Sequence, residues 1–291
     1  MSSLKPVHPR ISRFWPFKHV YYGWAVLLAG AFSSFAMVPT QGPIVGIFNQ
    51  PMRDDLGWSA TDISLAFVIG SVSGGFISSM TGRVLDRRGP RLVSVIAGII
   101  VATAMVAISR MTEPWHWWVL FGIARATAAS GAQLATLVGL ASWFVRKRGR
   151  VVGLLGVGQR GGQFLMPLPL VGIMAMSSWR EAWIILAVVV IVLQVLPSAA
   201  LYRHRPENYG LLPDGAEAPP DAGDGAAKVE VVEHSWTLSQ AKRTRTLWLL
   251  IFAQGGVILC LNATNLHAAA HLQDRGLSLL QAGMVTTIFA G

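Results

Sequence analysis

The stretch Gly82-Arg83-Val84-Leu85-Asp86-Arg87-Arg88-Gly89-Pro90-Arg91 decides the fold, because it is a short charged segment between two long apolar runs. Residues 63–80 before it and residues 92–109 after it contain no charged side chain. A helix of about 20 residues crosses a hydrocarbon core about 30 Å thick, so each run is long enough for a membrane span. We therefore predict a tight loop over residues 82–91, which its four arginines hold on the cytoplasmic side.

The composition points to a protein that lies in lipid. The chain has 291 residues, of which 53% are hydrophobic and 13% are charged, whereas soluble domains carry about 25% charged residues. A net charge of +10 on a soluble surface would suggest nucleic acid as a partner. Here eighteen of the 24 Lys and Arg residues fall in alternate predicted loops, the positive-inside pattern of a cytoplasmic N-terminus. We therefore expect a lipid bilayer, and no nucleic acid, as the environment of the chain.

The apolar runs predict an all-α membrane protein that is divided into four parts. A cytoplasmic tail covers residues 1–20, and a bundle of six spans covers residues 21–202. A linker rich in Pro, Gly and Asp covers residues 203–246, and residues 247–291 contain a seventh span and part of an eighth. The last apolar run has about 13 residues, fewer than the roughly 20 of a span. We therefore expect the sequence to stop inside its eighth span.

The pattern G-x-x-x-D-R-x-G-x-R resembles the loop between the second and third spans of the major facilitator superfamily. The matching positions are Gly82, Asp86, Arg87, Gly89 and Arg91. In that superfamily the loop is a conformational latch, and the fold consists of two bundles of six helices. The resemblance therefore implies a helical bundle with a complete N-terminal half, a partial C-terminal half and a latch at these five residues.

Three further segments resemble the branch of monocarboxylate porters and oxalate/formate antiporters. They are Tyr22-Gly23-Trp24, residues 205–215 after the sixth span, and residues 271–278 after the seventh. That branch carries small carboxylates with protons or by anion exchange. The resemblance implies a secondary transporter of a small organic anion, a monocarboxylate or a dicarboxylate, with a proton or a counter-anion as coupling ion. It also implies a multi-pass protein of the plasma (cell inner) membrane that is monomeric at full length.

Two arginines are predicted to lie inside spans. Arg125 and Arg160 each lie about ten residues into a span, where a charge costs at least about 2.5–3.5 kcal/mol unless it faces the bundle interior, water or a partner. No Asp or Glu lies at that depth in the first six spans. An anionic substrate would supply the missing partner through a bidentate contact. The alternative partners are backbone carbonyls or a carboxylate in later spans. We place Arg160 first and Arg125 second as substrate-binding residues.

Polar residues near these arginines extend the candidate site. Gln159 and Gln163 flank Arg160, and they either bind the same ligand or join neighbouring helices. Thr40 and Gln41 lie in a break of the first span between two prolines, and unwound backbone is tolerated where it lines a cavity. The alternative for this break is a simple kink.

The seventh span adds three polar candidates, Asn262, Asn265 and His267, as substrate-binding residues. His271 lies on the same helix face as His267, but two histidines are too few for a metal site. Phosphate loops, nucleophile elbows and metal-ligand clusters are not found in the sequence. We therefore expect neither an enzyme nor a bound cofactor.

Two other functions stay open at this point. An exporter of amphipathic or cationic drugs from the same superfamily would require an acidic residue at mid-depth. A transporter-like receptor would bind a solute without moving it.

Ser59, with Asp62 three residues later, is also expected to cap the helix of the second span.

The predicted topology is testable with a single cysteine in the linker. Replacing Asp221 by cysteine should give a thiol that an impermeant maleimide does not label in intact cells, because the positive-inside pattern places residues 203–246 in the cytoplasm. Permeabilised cells are the control in which labelling should appear. Efficient labelling of intact cells would contradict the topology.

Overall fold

The computed structural model describes residues 20–215 and 238–278, together with residues 281, 284 and 285. Within these residues the regular structure is helical, and no strand is present. The first predicted span consists of α1 (Gly23–Ala36), a 3₁₀ turn (Val38–Thr40) and α2 (Gly42–Leu56). Pro39 and Pro43 lie in the first turns of the 3₁₀ segment and of α2, where a missing N–H costs little. The break in this span therefore lies where its prolines are best tolerated.

Helix α3 (Ala60–Ile108) contains both the second and the third predicted span. Close contacts pair Gly70 with Gly122 and Gly74 with Ala126 before residue 89, and Pro90 with Gly139 and Ala97 with Gly131 after it. The partner numbers rise along the first half of α3 and fall along the second half. The chain therefore reverses its direction at Gly89, as two antiparallel spans require.

The predicted loop over residues 82–91 is shorter in the structure than the sequence suggested. The helix continues through Arg88, and only Gly89 leaves helical geometry, with φ +78° and ψ 168°. Glycine adopts this conformation without steric cost, and the following Pro90 starts the next helical segment. A Cβ on Gly89 would lie 2.5 Å from Nδ1 of His204, so the glycine also allows a close approach of the chain that follows the sixth span.

The other latch residues lie on the surface of this end of the bundle. Gly82 is helical, and a Cβ there would meet no atom of the described residues within 4 Å, so no close packing requires this glycine there. Asp86, Arg87 and Arg91 are exposed. Asp86 forms no hydrogen bond or ion pair with any residue that the structure describes. The latch itself stays a prediction.

The remaining helices complete the bundle and continue beyond it. The fourth predicted span consists of α4 (Pro114–Thr127), a π-helical turn (Ala128–Gln133) and α5 (Leu134–Trp143). The fifth consists of α6 (Arg148–Leu165) and α7 (Pro167–Met176), and the sixth of α8 (Trp179–Val190), a π-helical turn (Ile191–Val195) and α9 (Leu196–Leu201). Two 3₁₀ turns (Pro206–Tyr209 and Pro213–Gly215), α10 (Leu238–Lys242) and α11 (Arg245–Asp274) follow.

Among the described residues, two helical stretches are long and apolar enough to cross a membrane. They are Ala60–Ile108, with 49 residues, and Trp179–Leu201, with 23 residues. Large apolar side chains lie on the outer surface, for example Phe76 and Met176, which are 76% and 90% exposed. In water such a surface would be costly, whereas lipid covers it without penalty.

The division into four parts stays a prediction. The tail over residues 1–19, most of the linker (residues 216–237) and most of the predicted eighth span (residues 279–291) lie outside the residues that the structure describes.

Glycines bring the first and fifth predicted spans into backbone contact. A Cβ on Gly158 would lie 2.6 Å from the carbonyl oxygen of Ala31, and a Cβ on Gly162 would lie 3.0 Å from that of Phe35. Small residues at a spacing of four let helices pack this closely in a membrane. The contact places α6 directly against α1 and the break that follows it.

Asp214 fixes the end of the bundle that carries the arginines of residues 82–91 and 146–150, here called the basic end. Its carboxylate accepts hydrogen bonds from the backbone N–H groups of Val145, Arg146 and Lys147, at 3.0, 2.7 and 3.1 Å. Partial burial acts to raise the pKa of Asp214, but these three donors hold that pKa below its ordinary value. The turn after the sixth predicted span is thereby joined to the segment that starts α6.

Replacing Gly158 by alanine should destabilise the protein by about 1–3 kcal/mol, because its Cβ overlaps the backbone of α1. Gly156→Ala is the matched control on the same helix, since a Cβ there meets no atom within 4 Å. The melting temperatures of the two variants of the complete protein in detergent make the comparison. Equal melting temperatures would contradict the backbone contact.

Replacing Asp214 by alanine should cost about 1 kcal/mol, the usual value of a lost helix cap. Because the pKa of Asp214 is lowered on folding, its contribution is present at neutral pH and is lost as the pH falls through the folded-state pKa. Hydrogen exchange at residues 145–147 measures the effect, with Glu207→Ala as a control from the same segment. Unchanged exchange in Asp214→Ala would show that these N–H groups do not depend on the carboxylate.

Candidate functional site

A cavity of about 260 Å³ lies where the first predicted span breaks. Its walls come from α1, the first 3₁₀ turn, the end of α4, the π-helical turn after α4, α6 and α11. Of the eleven lining residues that the structure describes, none is acidic and seven are polar: Ser33, Ser34, Thr40, Gln41, Arg125, Gln133 and Gln159. The cavity therefore adjoins two irregular helical segments, a feature typical of functional sites in membrane helices.

Arg125 is held against the cavity wall by three contacts. Its Nε donates to Oγ of Ser71 at 2.8 Å, and its Nη1 donates to the carbonyl oxygen of Thr40 at 2.6 Å. The guanidinium carbon lies 3.5 Å from the centroid of the Phe67 ring. The helix break frees the Thr40 carbonyl for this bond, so the backbone partner considered from the sequence is present. The Nη2 group has no acceptor among the described residues, and it stays available to an anion.

Three glutamines form a second polar group beside the cavity. Nε2 of Gln159 and Nε2 of Gln163 both donate to Oε1 of Gln41, at 3.1 and 2.8 Å. These bonds join the fifth predicted span to the first, which was one of the two alternatives for this pair. Gln159 and Gln41 also line the cavity, whereas Gln163 is buried behind them, with 7% of its surface exposed.

Arg160 does not line this cavity. It is exposed and lies in a shallow groove beside Gly156, Val157 and Phe164. Its Nη1 donates to Oε1 of Gln163 at 3.4 Å, so the glutamines connect it to the cavity. The structure thus brings Arg125 to the cavity and leaves Arg160 outside it, and the order of the two as substrate-binding residues stays a prediction.

The structure brings together four of the nine predicted substrate-binding residues, namely Thr40, Gln41, Arg125 and Gln159. Asn262, Asn265 and His267 lie on α11, but their side chains are outside the described part of the structure. Ile258 of the same helix lines the cavity. The role of the three α11 residues stays a prediction.

Sequence reasoning missed the serines and one glutamine of the cavity. Gln133 follows Arg125 at a distance of eight residues, a spacing that keeps two side chains on one face of a helix. Ser33 and Ser34 precede the break by about two turns. A polar face that runs through Arg125 and Gln133 was the available signal.

A buried polar network supports the wall that contains Ser33. Ser33 donates to Oε1 of Gln194 at 3.2 Å, and Nε2 of Gln194 donates to the carbonyl oxygen of Ser94 at 2.9 Å. All three residues are at most 1% exposed. Gln194 belongs to the π-helical turn of the sixth predicted span and therefore joins three spans through one side chain.

Comparison with known proteins gives the family of the chain. The profile of the Major Facilitator Superfamily matches residues 24–291. The chain is 26% identical over 214 residues to the probable L-galactonate transporter of Escherichia coli K12, which covers 73% of this chain and 46% of that protein. It is 26% identical over 187 residues to human monocarboxylate transporter 14, which covers 63% of this chain and 34% of that protein. It is 21% identical over 233 residues to the uncharacterized MFS-type transporter YhjX of E. coli K12, with coverages of 78% and 52%.

The chain spans about a third to a half of the length of these relatives. The match confirms the predicted fold class, an all-α bundle of which the chain covers part, and the resemblance to the monocarboxylate transporter branch. The family consists of integral multi-pass membrane proteins that transport small molecules and are not enzymes. Because the profile covers nearly the whole sequence, the chain belongs to the major facilitator superfamily.

Proposed function

We propose that the protein is a secondary active transporter of a small organic anion and works by alternating access. The observation that carries this proposal is the position of Arg125, whose guanidinium is fixed on the wall of a polar cavity with no acidic side chain among its described lining residues. A fixed positive charge in a membrane favours a negatively charged ligand, because pairing with an anion lowers the cost of the charge inside the bilayer.

The chemistry of the lining favours a carboxylate among small anions. An arginine presents a planar set of donors that matches the two oxygens of a carboxylate. The serine, threonine and glutamine side chains around it offer hydrogen bonds to further polar groups of the same ligand. We therefore propose a monocarboxylate or a dicarboxylate as substrate. The printed names of two relatives, an L-galactonate transporter and a monocarboxylate transporter, agree with this class.

The remaining parts of the proposal concern coupling and topology. A proton or a counter-anion would drive the transport cycle, and two bundles would rock around the site. A latch at the basic end would consist of Gly82, Asp86, Arg87, Gly89 and Arg91. We place the N-terminus and the linker in the cytoplasm, the protein in the plasma (cell inner) membrane, and the complete protein in a monomeric state.

The cavity disfavours one of the two alternative functions and is neutral to the other. An exporter of cationic drugs requires an acidic side chain, and the described lining residues include none. A solute receptor would use the same binding site, so only a measurement of flux separates it from a transporter. Uptake of radiolabelled L-lactate, L-galactonate and oxalate into proteoliposomes is that measurement. Binding of one of them without flux would favour the receptor.

Replacing Arg125 should weaken anion binding in proportion to the contacts that are lost. We expect about a tenfold lower affinity for the carried carboxylate in Arg125→Lys, because lysine lacks the planar fork. In Arg125→Gln we expect about a hundredfold lower affinity, because a charged hydrogen bond and the charge itself are lost. Uptake at a series of substrate concentrations measures both values in the complete protein.

Arg110→Gln is the control for a lost positive charge, since Arg110 is exposed and does not belong to the described residues that line the cavity. Its uptake should equal that of the wild type. If Arg125→Gln were stable and carried the anion with wild-type affinity, Arg125 would be a structural residue, and the proposed function would lose its main support.

A further inference from the structure

The orientation of the Gln41 amide decides what the cavity can bind. A glutamine offers an acceptor, Oε1, at one end and two N–H donors, on Nε2, at the other. If Nε2 faces the cavity, Gln41 attracts a carboxylate, and if Oε1 faces it, Gln41 repels one. The group that fixes the orientation of this amide therefore decides whether Gln41 presents hydrogen-bond donors or an acceptor to the cavity.

Arg160 is the first donor in the series of hydrogen bonds that ends at Gln41. A guanidinium has N–H donors and no acceptor, so Gln163 must turn Oε1 toward Arg160, whose Nη1 lies 3.4 Å away. Nε2 of Gln163 then points to Gln41, and Gln41 receives it on Oε1 at 2.8 Å. Each amide is oriented by the one before it.

Gln159 favours the same orientation of the Gln41 amide. Its Nε2 also donates to Oε1 of Gln41, at 3.1 Å, so this oxygen accepts two bonds and both of its lone pairs are used. Gln41 lines the cavity, and its Nε2 has no acceptor among the residues that the structure describes. The donors of Gln41 are therefore left for a ligand.

We infer that Arg160 is a positioning residue that acts through Gln163 to keep the Nε2 donors of Gln41 turned toward the cavity, where they bind the anion together with Arg125. This inference rests on the proposed function and deepens it. Thr40 supplies the geometric link, because its carbonyl oxygen holds Arg125 while the next residue is Gln41. One helix break thus places two sets of donors side by side, as the two oxygens of a carboxylate require.

The inference also defines a selectivity. A site with donors on two sides prefers a carboxylate to its neutral amide, because the amide would turn an N–H group toward one of them. Reversal of the Gln41 amide would reduce this preference. Competition between a carboxylate and its own amide therefore reports the orientation of Gln41, which a merely structural defect would not change.

The test compares substitutions of Arg160 that differ in donor and acceptor character. Arg160→Lys keeps a side chain that only donates, and Arg160→Met removes the donor. Arg160→Glu presents an acceptor, which favours the reversed orientation of the Gln163 and Gln41 amides. The complete protein is reconstituted, and KM and maximal rate are measured for L-lactate, L-galactonate and oxalate, with the neutral amide of each as competitor. Arg150→Met, on the same helix, is the control for a lost surface charge.

We expect KM for the carried anion to rise by about twofold or less in Arg160→Lys, by about fivefold in Arg160→Met and by about tenfold or more in Arg160→Glu, since the net contribution of one ordinary hydrogen bond corresponds to roughly that range. The maximal rate should stay within a factor of about three, because Arg160 affects binding and not the movement of the bundles. The neutral amide should compete in Arg160→Glu and not in the wild type.

A double substitution tests whether Arg160 acts through Gln41. In a Gln41→Met background, Arg160→Met should have no further effect on KM, because coupled residues are not additive. Gln163→Met interrupts the same series of hydrogen bonds without removing a charge, and we expect the same rise in KM. This variant replaces Arg160→Met if Arg160→Met does not fold.

Two results would overturn the inference. If Arg160→Lys weakened binding as strongly as Arg160→Met, Arg160 would contact the anion directly through its fork. If Arg160→Met kept its full effect in the Gln41→Met background, its action would not pass through Gln41. Failure of the proposed function looks different, because the wild type would then carry none of the three carboxylates or Arg125→Gln would carry them normally.

Discussion

The hydrogen bond between Arg125 and the carbonyl oxygen of Thr40 is the interaction on which the site depends. A guanidinium in a bilayer needs acceptors, and a carbonyl that is not used inside a helix is a better acceptor than one that already holds a helical hydrogen bond. The break of the first predicted span supplies one. Gly70 makes room for the arginine, since a Cβ there would lie 2.8 Å from Cβ of Arg125. The proline-flanked break, the glycine on α3 and the arginine on α4 are therefore parts of one arrangement.

Close helix contacts let short polar side chains meet across the bundle. Glutamine amides reach only a few ångströms beyond their backbone, and those of α6 bond Gln41 because Gly158 and Gly162 bring α6 onto α1. Larger residues at these glycines would separate the helices and leave the amides without partners, which is costly in a low dielectric. The glycines of the fifth predicted span thus determine the site without touching it.

Local features were predictable from the sequence, and the choice between faces of a helix was not. The break at the proline pair, the reversal near Gly89 and the cap of α3, where Ser59 and Asp62 bond each other, all follow from the chemistry of a few adjacent residues. Arg125 and Arg160 have the same depth by residue count, so depth gave no reason to separate them. Their difference lies in rotation about the helix axis, and the apolar pattern of a span in lipid does not define an inner face as it does in a soluble helix. Chain segments that meet only in three dimensions, such as Asp214 and the start of α6, were equally beyond the reach of the sequence pattern.

The contacts at the basic end argue that α6 does not move independently of its neighbours. Asp214 holds the segment before α6, Tyr21 donates to the carbonyl oxygen of Trp143 at 2.9 Å, and the ring of His204 covers Gly89. The first, third, fourth, fifth and sixth predicted spans are thereby joined at one end, while the Gln194 network joins the first, third and sixth within the bundle. The helices of the cavity wall are joined both at the basic end and within the bundle, and these contacts hold Arg125 and Gln41 at a fixed distance and orientation. In the proposed transport cycle, these contacts favour an opening of the cavity by elements that pack against this bundle, such as α11, over a separation of the helices that carry the donors.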